Sequence, residues 1–113
     1  MKRLLFLQVL IILIFTGCDR LGIEPGVSDC IVKSTKKLNK ESPCDKGASV
    51  KEYKFQNKIV YVLSPGNCMS DSGAKVVDAE CNQIGYLGGL TGNTKIDGIE
   101  FSTATFIRTI WDN

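Results

Sequence analysis

Residues 50–63 read Val50-Lys-Glu-Tyr-Lys-Phe55-Gln-Asn-Lys-Ile59-Val-Tyr-Val-Leu63. Two runs rich in β-branched and aromatic residues, 50–55 and 59–63, flank the polar Gln56-Asn57-Lys58, which is the pattern of a β-hairpin. Asn57 is the turn residue best suited to a left-handed backbone, because its short polar side chain tolerates that region. Tyr53, Ile59, Tyr61 and Leu63 are expected to supply core from one face of the hairpin. Side chains alternate with period two, so a one-residue slip exchanges the faces, and the sequence leaves this register open.

Downstream, Ser64-Pro65-Gly66-Asn67 is a strong turn that ends the second strand. A polar connection at 69–73 leads to a third strand, 74–79, built on Val76 and Val77. A turn near Glu80-Cys81-Asn82 precedes a fourth strand, 83–87, with Ile84 and Tyr86. Gly85, Gly88, Gly89 and Gly92 are read as a flexible loop, Asp97-Gly98 as a turn and 101–104 as a helical turn. The closing segment 106–111 is again β-rich.

Upstream, the period changes. Ser28 is placed to cap a helix, with Asp29 in the first turn, where negative charge suits the helix dipole. Ile31, Thr35 and Leu38 share one face, Lys33, Lys36, Lys37 and Lys40 mostly point away, and Pro43 and Cys44 end the helix near Glu41. The fold class expected is α+β: one N-terminal helix packed on an antiparallel sheet of about five strands.

The first residues differ from all of this. Lys2-Arg3, the run 4–15 that is apolar except for Gln8, and the small residues before Cys18 form the three regions of a secretory signal peptide. Twelve residues rising ~1.5 Å each cover roughly 18 Å, against a hydrocarbon core about 30 Å thick, so a cleaved leader is favoured over a permanent span. Phe15-Thr16-Gly17-Cys18 resembles the lipobox of bacterial lipoproteins, although Phe15 stands where leucine is usual. That resemblance implies cleavage before Cys18, acylation of its thiol and anchoring by two or more acyl chains, since one chain binds only marginally. An ordinary signal peptide is the alternative, with Cys18 incidental. The expected organisation is a leader at 1–17, a flexible tether at 18–27 and one globular domain at 28–113.

Charge and cysteine count follow from that boundary. The chain carries 14 Lys and Arg against 12 Asp and Glu, and Lys2 and Arg3 leave with the leader. The mature side chains then sum to zero, so nucleic-acid binding lacks its electrostatic premise. Five cysteines is an odd number. With Cys18 lipidated, Cys30, Cys44, Cys68 and Cys81 remain as an even set, which in an oxidising compartment reads as two disulfides. Three pairings are open, and short loops favour Cys30 with Cys44 and Cys68 with Cys81, each contributing ~3 kcal/mol in the chain-entropy model.

Three stretches, Cys30-Ile31, the hairpin from Tyr53 to Tyr61, and Asp78-Ala-Glu-Cys-Asn-Gln-Ile-Gly85 followed by Gly88-Gly89-Leu-Thr-Gly92, are together similar to an uncharacterised family of bacterial envelope lipoprotein domains. That family often has glycine where Asn57 stands, which agrees with a left-handed turn. It often has a cysteine just before the phenylalanine matching Phe101, whereas this chain has Ile99-Glu100 there and carries Cys44 instead. The resemblance implies a fold and an address at the envelope, with no chemistry attached.

Catalytic constellations are sparse. The absence of histidine removes His-based triads, Cys-His dyads and His-containing zinc sites. The cysteines lack the paired Cys-x-x-Cys knuckles of a zinc site. The glycine-rich stretch 85–93 lacks a phosphate loop's Gly-Lys-Ser/Thr ending. Asp71, Asp78, Asn82, Asn93 and Asp97 offer oxygens without EF-hand spacing, and Glu52, Asp78 and Glu80 are candidates for a catalytic carboxylate pair that nothing in the sequence brings together. No metal, cofactor or catalytic residue is assigned. The expectation is a non-enzymatic lipoprotein domain, held to a membrane by its lipid and binding an envelope protein partner or acting structurally. Its candidate binding loop at 88–97 presents Leu90 and Asn93. The alternative is a small protease inhibitor or hydrolase.

Overall fold

The computed structural model describes residues 21–69 and 72–113. Helix α1 spans Asp29–Glu41. Strands β1 (Ser49–Phe55), β2 (Lys58–Ser64), β3 (Gly73–Asp78), β4 (Gln83–Gly88) and β7 (Thr105–Asp112) form one antiparallel sheet in the order β4-β3-β2-β1-β7. Between β4 and β7 lie a two-stranded ribbon, β5 (Lys95–Ile96) with β6 (Ile99–Glu100), and a 3-10 turn at Phe101–Thr103. The expected class, a single helix against a five-stranded antiparallel sheet with two disulfides, is the one observed.

The hairpin turn fixes the register that the sequence left open. Phe55 pairs with Lys58, so the loop has two residues, and Gln56 and Asn57 both take positive φ, 51° and 63°. That geometry matches the right-handed twist of the flanking strands. Val50, Glu52, Tyr61, Leu63 and Val77 thereby face α1, while Tyr53, Phe55, Val60 and Val76 face the opposite side. Tyr53 therefore does not share a face with Ile59, Tyr61 and Leu63. It pairs with Val60, because a two-residue turn sets the parity of the ladder.

Each face is covered by its own layer. On one side Ile31 of α1 packs with Val50, Tyr61, Leu63, Val77, Ile110 and Trp111. Thr35, also fully buried, donates its hydroxyl to the Ile31 carbonyl (2.7 Å), which satisfies a polar group inside this core. On the other side Phe55, Val60, Val76 and Ile96 form a second cluster. It is closed by edge-on aromatic contacts of Tyr53 with Phe101 and Phe106, with centroids 5.2 and 5.5 Å apart.

Gly85 and Gly88 belong to β4 and not to a loop. The reason for Gly85 lies in the second layer: a Cβ there would overlap Ile96, whose side chain fills the place a strand residue would occupy. Gly73, on β3, has the ring of Tyr86 laid against it in the same way. These glycines are sites of close approach across the sheet.

The disulfides join Cys30 to Cys81 and Cys44 to Cys68, with Cα separations of 6.1 and 5.6 Å. This replaces the expected pairing of Cys30 with Cys44 and Cys68 with Cys81. Cys30 lies in the first turn of α1 and Cys44 just beyond its last residue, so the rise of ~1.5 Å per residue sets Cys30 roughly 17 Å from the helix end that leads to Cys44. Cys68 and Cys81 flank the six residues of β3, another roughly 20 Å of extended chain. A bridge needs about 4.4–6.8 Å between Cα atoms, so closing either short loop would require the flanking residues to double back along the element. The observed bridges instead tie one end of the helix to the β3–β4 turn and the other end to the β2–β3 connection.

Candidate functional site

Among the described residues Glu52 is the one acidic residue with a buried side chain, and it sits mid-strand facing α1. Its two oxygens are both engaged: Tyr61 donates its hydroxyl to Oε2 (2.9 Å) and Arg108 donates Nε–H to Oε1 (2.9 Å). Burial, reinforced by the bond to the Glu52 carboxylate, pushes the Tyr61 phenol up to about 12. The same carboxylate raises the pKa of the Arg108 guanidinium. With one bond to each oxygen, the buried carboxylate ties β1 to both of its neighbours, β2 through Tyr61 and β7 through Arg108. Arg108 extends the network by donating Nη1–H to the Pro25 carbonyl (2.9 Å).

Through that bond the network reaches the segment that leads back towards Cys18. Glu24 N–H donates to the Ile110 carbonyl (2.9 Å), and Leu21, Ile23 and Val27 pack on the helix-side core. Residues 21–27, read from composition as part of a tether, therefore lie along β7. Cys18 itself lies outside the described residues, as does the leader.

Other candidates separate. Asp78 faces the side of the sheet opposite Glu52, since it pairs with Val60 whereas Glu52 pairs with Tyr61, so these two carboxylates do not converge. Asp78 anchors its own turn, accepting N–H from Asn82 (2.9 Å) and Glu80 (3.0 Å). The Asn82 backbone bond is the main cause of its lowered pKa. Asp71 lies outside the described residues, and among those described no three Asp, Glu or Cys gather to hold a metal. The glycine-rich stretch leads into a turn and a ribbon rather than a helix. Among the described residues, two open hollows stand out. One of about 320 Å³ runs between α1 and β3–β4, with Leu38 and Val77 among its apolar lining and Lys37, Lys75 and Tyr86 around it. The other, about 300 Å³, lies beneath the β5–β6 ribbon against Phe55, Ile84 and Ile96.

The candidate binding loop divides into two kinds of residue. Asn93 is committed to the fold: its Nδ2 donates to the carbonyls of Tyr86 (2.6 Å) and Lys95 (2.8 Å), and its backbone bridges to Gly88. Leu90 is 90% exposed. A family model for a domain of unknown function (DUF6970) matches residues 36–113, more than two thirds of the chain. The chain belongs to that family. The DUF6970 region contains the Cys44–Cys68 bridge, while the Cys30–Cys81 bridge links it to the first turn of α1, just before the match begins. Neither a curated protein nor a solved structure matches the chain.

Sequence reasoning singled out Glu52 as a possible acid and passed over Arg108. The signal available was parity: once Val50 faces the core, Glu52 must too, and a buried carboxylate requires a partner of opposite charge.

Proposed function

We propose that this chain is an exported bacterial lipoprotein, anchored to a membrane of the cell envelope through a lipid on Cys18. Its DUF6970 domain acts there by binding or as a structural element and not by catalysis. The observation that carries the reading is cysteine parity. The four cysteines of the folded region pair among themselves, and Cys18, directly after a signal-like leader, is the one left over. Structural disulfides belong to oxidising compartments, and a remaining cysteine at that position has a defined use as the acylated N-terminus. The non-catalytic reading is supported by the placement of Glu52 and Asp78, two of the three carboxylates considered for a paired role, on opposite sides of the sheet. A protease inhibitor would require an exposed loop bracketed by a disulfide, and the Leu90 turn is closed by backbone bonds instead.

The experiment is an intact mass of membrane-extracted protein, with thiols alkylated before and after reduction. The expected mass is that of residues 18–113 plus acyl chains, with no thiol labelled before reduction and four after it. An unlipidated chain with free thiols would overturn both anchor and compartment.

A further inference from the structure

The place where the chain leaves the fold decides which end of the sheet meets the membrane. In the antiparallel register Ser49 pairs with both Ser64 and Asp112, and Gly73 pairs with Gly88. One end of the sheet therefore collects the start of β1, the finish of β2, the start of β3 and the finishes of β4 and β7. Residues 24–25 run antiparallel to β7, with Glu24 beside Ile110 and Pro25 held by Arg108. Followed backwards from Glu24, that direction carries the chain past Ile110 towards the Asp112 end, and Leu21 is still packed on the helix-side core. Only Asp19 and Arg20 separate Leu21 from Cys18. Three Cα steps reach at most roughly 10 Å, so an acylated Cys18 leaves no room for a stalk between lipid and domain.

Two apolar side chains stand on loops at that end. Leu90 is at the apex of a turn in which Gly92 N–H donates to the Gly89 carbonyl (3.2 Å). Reciprocal Gly88 and Asn93 backbone bonds (2.8 and 3.2 Å) and the Asn93 amide close the base. Turns are dominated by Gly, Asn, Asp, Ser and Pro, which suit the tight backbone or bond to it, and leucine offers neither advantage. Here a leucine is held out on a tied frame, 90% exposed. Met69, half exposed, stands on the neighbouring β2–β3 connection. Apolar exposure alone does not choose this end, since Phe106 and Ile107, towards the far end of β7, are about half exposed as well. The exit of the chain chooses it.

We infer that the partner of this end is the lipid surface itself. The acyl chains on Cys18 and the side chains of Leu90 and Met69 enter the same leaflet, and the sheet stands upright with the Gln56-Asn57 turn directed away from the membrane. This rests on the anchor reading above and adds an orientation to it.

The test uses the full lipidated protein in vesicles of phosphatidylethanolamine and phosphatidylglycerol, with acyl chains either plain or brominated near the headgroup. Leu90→Trp and Phe106→Trp are compared with the parent chain, whose Trp111 is buried, and Met69→Trp is a second reporter at the anchored end. Leu90→Trp and Met69→Trp fluorescence is expected to fall at least twofold more on brominated vesicles than the parent's, and Phe106→Trp no more than the parent's. Acylated protein that floats with the vesicles but shows no extra quenching at 90 and 69, or equal quenching at 106, overturns the orientation and leaves the anchor standing. Protein without acyl mass that does not float overturns both.

Discussion

Replacing Cys30 and Cys81 together by alanine tests the link between α1 and the β3–β4 turn. The two bridges are nested, since residues 44 and 68 both lie between 30 and 81. With the inner bridge intact, the unfolded chain can be traced from Cys30 to Cys81 through about 27 residues instead of the 51-residue separation along the sequence. The chain-entropy relation for a loop of about that length gives ~12 cal/mol/K, or ~3.5 kcal/mol at 25 °C. That is a large part of the 5–15 kcal/mol typical of a domain, and it corresponds to a fall in Tm of roughly 15–25 °C for a domain this small. Urea titration followed by circular dichroism measures it, with the Cys44–Cys68 bridge confirmed by peptide mapping. A loss below ~1 kcal/mol, or a map of the unmodified protein joining Cys30 to Cys44, would refute the reasoning.

Gly85→Ala places a methyl where Ile96 sits and is expected to cost about 1–3 kcal/mol in urea unfolding, with Gly85→Ala/Ile96→Val recovering part of the loss. Arg108→Met leaves the buried Glu52 carboxylate without its cation and is expected to lower the urea midpoint, and combining it with Glu52→Leu should cost less than the sum of the two single changes in a double-mutant cycle. The Tyr61 phenol is raised from 10.0 to about 12, so the folded state keeps its proton more tightly than the unfolded chain. That contribution is whole below pH 10 and is lost as pH climbs towards 12, and Tyr61→Phe should flatten this part of a stability-against-pH curve. Asp78 has the opposite sign: its lowered pKa contributes stability above the ordinary carboxylate range that is lost as pH falls through its folded value, a loss that Asp78→Asn should remove.

What the sequence determined by itself is local. The periods of 31–38 and 50–63, the Ser-Pro-Gly-Asn turn and the Asp-Gly turn each follow from the preferences of neighbouring residues, and α1 and the five sheet strands stand within a residue or two of where those preferences put them. Leu90 was legible as exposed from its place in a glycine-rich loop. What the tertiary structure decided depends on residues far apart in sequence. The disulfide partners were set by the stiffness of the elements between them, which keeps the near cysteines apart and brings residues 30 and 81 together. Gly85 looked like loop because its reason for being glycine is Ile96, on a ribbon laid over the other side of the sheet. Glu52 looked like a free acid because its cation, Arg108, arrives on the last strand, 56 residues later. Short-range sterics and hydrogen bonding specify strands, turns and helices; pairing across a sheet and between layers is specified only when the whole chain has closed around one core.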